Sequence, residues 1–297
     1  MSGLAAALAL VIADPLILGG QAQATSPGLG PELISLNTDT AERMTVPVSV
    51  DEAGPFRFLI DTGSERTVVS EEVAGRLALA PGPQARIVGL AGVGQAETAQ
   101  VNVLRFGKQV LSGLLVPLLE GRHIGADGII GIDALQHQRV VLDFAKATIA
   151  IHAATELYDT RSYEIVVRAR RRDGRLILTN AIFDGIRTDV VIDTGSSGTV
   201  GNRALQRALR ERTVGAGAIA SVTGQVLPAE FGIGAKLSIG KLSIGNVLVA
   251  FADAPAFREL QLDRKPAIFL GMREMRAFRR IAIDFPARKV SFDLPAR

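Results

Sequence analysis

The strongest constraint on this chain is an internal repeat. Phe58-Leu59-Ile60-Asp61-Thr62-Gly63-Ser64 returns as Val190-Val191-Ile192-Asp193-Thr194-Gly195-Ser196, with the two aspartates 132 residues apart. Phe106-Gly107-Lys108 and Ile239-Gly240-Lys241 follow at an offset of 133, and Ile129-Ile130-Gly131 and Phe269-Leu270-Gly271 at 140. Val141-Leu142-Asp143-Phe144 and Ala282-Ile283-Asp284-Phe285 close the series at 141. Four landmarks in one order with slowly drifting offsets describe a duplicated half. By length alone the 297 residues fit one large domain or two ordinary ones. The repeat makes them two related lobes, expected over residues 43–153 and 161–297. Each lobe supplies one Asp-Thr-Gly-Ser, so no homodimer is needed to bring two together, and a monomer is expected.

The coarse pattern is β in both halves. Thr45 to Val50 alternates, a turn follows at Asp51 to Gly54, and Phe56 to Ile60 forms the return strand. The second half repeats this with Leu176 to Ile182, Asp184-Gly185, and Thr188 to Ile192. Asp-Gly between apolar runs marks a tight hairpin, because both central residues of a type I′ turn need positive φ. Short helices are expected at Glu71 to Leu79, Ala134 to Gln138, Ala204 to Arg212 and Arg273 to Phe278. Many short strands with Gly-rich turns make each half a barrel or sandwich, so the fold class is all-β with a few short helices. Residues 154–173 carry the inter-lobe connection, with 154–160 as its linker. The arginines at 168 and 170–172 read as the solvated end of a hairpin rather than a nucleic-acid patch.

Composition removes several chemistries. With no cysteine there is no disulfide scaffold, thiol nucleophile or Cys-ligated zinc. The three histidines, His123, His137 and His152, lack mutual ligand spacing, so neither a metal nor another cofactor is expected. A formal net charge of +3, from 33 basic and 30 acidic residues, does not mark a nucleic-acid partner. Residues 1–24 resemble a signal peptide: an apolar stretch runs from Leu4 to Ile12, and Ala22-Gln23-Ala24 offers a small-x-small cleavage site. The expectation is an exported, periplasmic or secreted protein, touching a membrane only if that leader stays uncleaved. Residues 25–42, rich in Ser, Pro and Gly at their start, read as a flexible tether.

The paired motifs suit one task. Two carboxylates brought together across a pseudo-two-fold axis cannot both ionise, so they share a proton and their pKa values split. Asp61 and Asp193 can then serve as general base on a water and as general acid on a carbonyl. Gly63 and Gly195 allow close approach where a Cβ would intrude. The hydroxyls of Thr62 and Thr194 can bond across to the opposite lobe's backbone and fix the spacing.

On these motifs the chain, from about residue 43 to 297, resembles an aspartic protease of the pepsin and retropepsin superfamily. The resemblance implies two pseudo-symmetric acid-protease barrel lobes with a cleft between them. It assigns catalysis to Asp61 and Asp193, and support of the dyad to Thr62, Gly63, Ser64, Thr194, Gly195 and Ser196. Gly131 and Gly271 would then close the hydrophobic-hydrophobic-Gly segments packed behind each loop. It further implies peptide-bond hydrolysis by an activated water, on a peptide or protein substrate bound in extended conformation. Pepsin-like enzymes carry a flap tyrosine, but the only tyrosines here, Tyr158 and Tyr163, lie in the connection. The flap candidates are Gly89, Gly92 and Gly94 in the first lobe and Thr223 and Gly224 in the second, a two-flap arrangement closer to the retroviral style. A non-catalytic peptide-binding module on the same fold is the alternative reading. A third is a zymogen whose residues 25–40 cover the cleft.

Overall fold

The computed structural model describes residues 43–153, 163–210 and 214–295 in full, and the backbone alone at 32–35 and 37–38. The expected leader, most of the tether, the 154–160 linker and Tyr158 lie outside the described residues.

Each lobe is built on an eight-stranded sheet. In the first, the spatial order is Asn37–Thr38, Met44–Val50, Ala53–Ile60, Gly128–Ile130, Val68–Ser70, Gln109–Leu119, Val93–Phe106 and Ala80–Val88. The sheet curls onto itself, because Met44–Val50 also pairs with Val93–Phe106 through Ser49 opposite Arg105. In the second lobe the order is Arg170–Arg172, Arg175–Phe183, Ile186–Ile192, Ala267–Leu270, Thr199–Asn202, Leu242–Ala252, Val226–Ile239 and Gly215–Ala220. It closes the same way, with Ala181 opposite Ile239. Period-2 patterning drives this: Val46, Val48 and Val50 all point into the core. Asp51 and Glu52 sit at φ 45° and 66°, and Asp184 and Gly185 at 45° and 83°. Both first hairpins thus use turns with two positive-φ residues, whose twist matches that of the strands.

The strand that delivers each aspartate runs parallel to the hydrophobic-hydrophobic-Gly strand. Phe58, Leu59 and Ile60 lie beside Gly128, Ile129 and Ile130, and Val190, Val191 and Ile192 beside Ile268, Phe269 and Leu270. Asp61 N–H then donates to Ile130 O at 3.0 Å, and Asp193 N–H to Leu270 O at 3.1 Å. Each aspartate therefore starts its loop hydrogen-bonded inside a sheet, which fixes its direction.

A third sheet belongs to both lobes. Its six strands run Glu32–Ser35, Thr148–Ala153, Gln138–Asp143, Arg280–Asp284, Lys289–Asp293 and Ile165–Arg168. The seam between lobes sets Val141 opposite Ala282 and Arg139 opposite Asp284, whose side chains pair at 2.7 Å. Val140, Leu142, Ile281 and Ile283 join the apolar cluster that also holds residues of both barrels.

Several expectations need correction. The last hairpin of each half leaves its own barrel to build the shared sheet, so the lobes are less separate than two self-contained barrels. Within the expected tether, Glu32–Ser35 pairs with Thr148–Ala153, and Asn37–Thr38 with Met44–Val50; backbone hydrogen bonding outweighs the polar composition there. Within 154–173, Ile165–Arg168 and Arg170–Arg172 are strands. The latter forms a hairpin with Arg175–Phe183 and presents arginines along a sheet edge, where charge discourages further pairing. Helices Glu71–Arg76 and Arg203–Leu209 form near their expected places. Ile132–Leu135 and Met272–Met275 start earlier than expected, directly after Gly131 and Gly271. Gly121–Ile124 and Pro255–Glu259 are short additional helices that no periodicity announces.

Candidate active site

The two Asp-Thr-Gly-Ser loops meet at the centre of the molecule, and both aspartates are fully buried. A reciprocal set of hydrogen bonds locks them together. Thr62 Oγ1 donates to Ile192 O at 2.9 Å, and Thr194 Oγ1 donates to Ile60 O at 2.7 Å. Each hydroxyl also accepts: Thr62 N–H reaches Thr194 Oγ1 at 3.0 Å, and Thr194 N–H reaches Thr62 Oγ1 at 3.3 Å. The spacing of the carboxyls is thus set by backbone on both sides of the pseudo-two-fold axis. Gly63 and Gly195 are required by contact. A methyl group at Gly63 would lie 2.6 Å from Asp193 Oδ1, and one at Gly195 would overlap the Asp61 carboxyl.

The carboxyls are not equivalent. Asp61 Oδ1 accepts from Gly63 N–H at 2.7 Å and from Ser64 N–H at 3.0 Å, whereas Asp193 Oδ1 accepts from Gly195 N–H alone among these, at 3.0 Å. Burial pushes Asp61 up to about 6, against the lowering effect of those amides. Burial, and then the neighbouring Asp61 charge, raise Asp193 well above the usual carboxylate range. The two groups titrate as a pair, and the stronger upward push on Asp193 favours its protonated form beside an Asp61 carboxylate. Oδ2 of each carboxyl is buried without a hydrogen-bond partner, so these atoms remain available to a reacting group.

The serines contribute differently from the threonines. Ser64 Oγ donates to Arg66 O at 2.8 Å and Ser196 Oγ to Gly198 O at 2.6 Å, so their hydroxyls shape the loops rather than touch the carboxyls. Gly131 and Gly271 pack behind these loops; a Cβ at either would overlap the backbone of Arg66 or Gly198. Their N–H groups donate at 3.2 Å to Thr67 Oγ1 and Thr199 Oγ1. Those hydroxyls in turn donate to Asp133 at 2.8 Å and Glu274 at 2.5 Å. Asp133 is therefore a structural brace, not the solvated loop carboxylate its position suggests, and Asp127 is tied as well, accepting from Arg57 N–H at 2.7 Å.

Both flap candidates form hairpin tips. Gly89 N–H donates to Gly92 O at 2.8 Å, and Ser221 N–H to Gln225 O at 2.9 Å. The tips meet: Gln225 Nε2 reaches Val93 O at 3.3 Å, and a methyl at Gly89 would lie 2.5 Å from Ser221 Oγ. Val88 and Leu90 bury into the second lobe's apolar cluster, while Val222 buries among Leu59, Ile87 and Ile129 of the first. Gly224, at φ 76°, lies against His123. Gly94 stands in a strand with open space around its Cα, so nothing steric requires glycine there. Tyr163 is remote from the tips, packed beneath the Arg280 guanidinium in the shared sheet.

Sequence reasoning missed Arg175. It is fully buried, its Nε donates to Gly63 O at 2.9 Å, and its Nη1 lies 3.9 Å from Glu65 Oε2. It crosses from the second lobe to the Asp-Thr-Gly-Ser loop of the first, and its charge lowers the pKa of both aspartates. The signal was present, because Arg43 and Arg175 stand 132 residues apart, the same offset as the aspartates. Arg43 is likewise buried, and its Nη2 donates to Ile124 O at 2.6 Å.

Two β lobes that each bring an Asp-Thr-Gly loop to one axis, backed by a hydrophobic-hydrophobic-Gly strand, define the two-lobed acid-protease fold. The aspartyl protease family model matches residues 46–134 and 179–273, more than half of the chain in two repeated regions, and the chain belongs to that family. No curated protein matches it.

Proposed function

We propose that the protein is an aspartic endopeptidase whose dyad is Asp61 and Asp193. The observation that carries this reading is the pair of buried carboxyls held across the axis by Thr62 and Thr194, each with one unpartnered oxygen. The Asp61 carboxylate, favoured as the anion by two amide donors and Arg175, takes a proton from water as that water's oxygen attacks the scissile carbonyl carbon. Asp193 gives its proton to the carbonyl oxygen, and a neutral gem-diol forms. Collapse returns a diol proton to Asp193, Asp61 delivers its proton to the amide nitrogen, and the C–N bond breaks. Both groups recover their starting states. The flap tips touch and the dyad is buried, so an extended peptide enters when the tips part and is then shielded from bulk water.

The test is cleavage of a peptide library by the purified chain and by its Asp61→Asn and Asp193→Asn variants. Dyad-dependent cleavage is expected, with each substitution reducing turnover at least ~10³-fold. Peptide binding by the wild type without turnover at any pH would favour the non-catalytic reading instead.

A further inference from the structure

The duplication is asymmetric at one place that matters for substrate. A cavity of about 360 Å³ opens in the first lobe between the flap strands, the start of helix Glu71–Arg76 and the helix Gly121–Ile124, with Thr223 and Gln225 of the opposing flap on its rim. That volume falls within the range of ligand pockets, about 300–1,000 Å³. Its wall residues Ile87 and Leu119 pack with Leu59, two residues or about 7 Å of strand before Asp61. The equivalent region of the second lobe is packed differently. There the repeat offset grows from 133 to 140 between Gly240 and Gly271, and this longer stretch carries Phe257, Leu260 and Leu262 in one apolar cluster with Leu90, Ile219 and Ala229.

The charges differ as well. In the second lobe Glu230 pairs with Arg203 at 2.7 Å. Glu97 stands at the position of Glu230, since both are the fifth residue of matching fourteen-residue strands. Glu71 stands at the position of Arg203, since both open the helix after the dyad-side strand. The first lobe thus keeps the anion of this pair and replaces its cation with a second anion, and both carboxylates line the cavity together with Glu120. Gln84 caps Glu97 at 2.6 Å without neutralising it, and Glu120 is drawn toward Arg122, which is not part of the lining. The Glu71 side chain has no hydrogen bond or ion pair among the described residues.

Building on the endopeptidase reading, we propose that this cavity is a one-sided specificity pocket for a lysine or arginine side chain of the substrate, whose cation takes the place that Arg203 holds in the other lobe. The apolar wall at Ile87 and Leu119 accommodates the aliphatic stem, and Glu71 and Glu97 receive the charge. Because the second lobe's counterpart carries its own cation in the Arg203–Glu230 pair, the preference falls at a single position relative to the scissile bond.

The experiment uses randomised octapeptides containing lysine, arginine and norleucine, with two readouts on the full chain. Cleavage sites are mapped with the wild type, and peptide enrichment is measured on immobilised Asp193→Asn protein. Lysine and arginine are expected at one position over norleucine by about ten-fold in both readouts. Glu71→Arg, which rebuilds the Arg203–Glu230 arrangement, should reduce that ratio to near one, and Glu71→Gln should reduce it part of the way. Dyad-dependent cleavage indifferent to basic residues overturns the pocket and leaves the protease reading intact. Enrichment of basic peptides without cleavage by the wild type keeps the pocket and removes the protease reading. Neither signal removes both.

Discussion

At the scale of single residues, the dyad is governed by burial, and its pH behaviour follows from the sign of that effect. A carboxyl whose folded pKa lies above its unfolded value binds its proton more tightly when folded. Asp61, moved from 3.8 to about 6, therefore contributes stability that is present below about pH 4 and lost as pH rises through about 6. Asp61→Asn removes that loss. The variant is expected to be more stable than wild type by about 3 kcal/mol at pH 7, with the gap closing at pH 4, as read by denaturant unfolding at the two pH values. A gap independent of pH would show that the carboxyl titrates normally. On the endopeptidase reading the singly protonated dyad appears as pH rises through about 6 and persists until Asp193 ionises, so kcat/KM should keep high values at neutral pH. An acid limb in the ordinary carboxylate range, near 4, would overturn this. Arg175→Met removes the cation that lowers both aspartates, so the acid limb should move to higher pH. The variant also leaves Gly63 O and Glu65 without their buried partner, at a cost of about 3–5 kcal/mol in stability. The carboxyl pair was legible in the sequence because short motifs recur together. Arg175 was not, because a lone arginine beside other arginines carries no local pattern, and only the shared offset with Arg43 marks it.

At the scale of elements, the threonine-locked loops and the flap tips show which glycines the fold needs. Thr62→Val removes one donor to Ile192 O and one acceptor for Thr194 N–H, leaving buried backbone groups unpaired. It should cost about 1–3 kcal/mol and lower kcat more than it raises KM, with Thr62→Ser retaining most of both. Equal loss in the serine variant would mean that the methyl group, not the hydroxyl, holds the loop. Among glycines, alanine at 195 would drive a methyl into the Asp61 carboxyl, and alanine at 224 would meet both a φ of 76° and the His123 ring. Alanine at 94 meets nothing within 4 Å. Peptide cleavage should therefore fail in Gly195→Ala, weaken in Gly224→Ala, and stay close to wild type in Gly94→Ala. Comparable losses in all three would mean that flap flexibility rather than local contact sets the requirement. The hairpins and their tips could be read from alternation and turn residues. The helices Gly121–Ile124 and Pro255–Glu259 could not, since four or five residues give no 3.6-residue period, and tertiary packing of Ile124 and Phe257 makes them.

At the scale of the whole molecule, the repeat established two halves but did not reveal how closely they are joined. Alternating apolar residues specify that Val140 to Leu142 and Ile281 to Ile283 are strands; they do not say which sheet those strands enter, because partner choice depends on contacts more than a hundred residues apart in sequence. In the folded chain they pair with each other across the lobe boundary, with Val140 opposite Ile283 and Leu142 opposite Ile281. The Thr62–Thr194 lock, the Arg175 bond to Gly63 O and the exchange of flap tips add further ties between the lobes. Two domains joined only by a linker would unfold separately, whereas two lobes sharing a sheet, a core and a site should unfold as one unit. Calorimetry of the wild type is expected to give a single transition whose van't Hoff and calorimetric enthalpies agree. Ile283→Ala, which opens a cavity at the seam, should lower that transition as a whole by about 2–5 kcal/mol without splitting it. Because the dyad spans the same boundary, cleavage activity should disappear over the same temperature range as the fold. Two resolved transitions, only one of them moved by the substitution, would show that the lobes hold their structure independently and that the shared sheet is a contact rather than a common core.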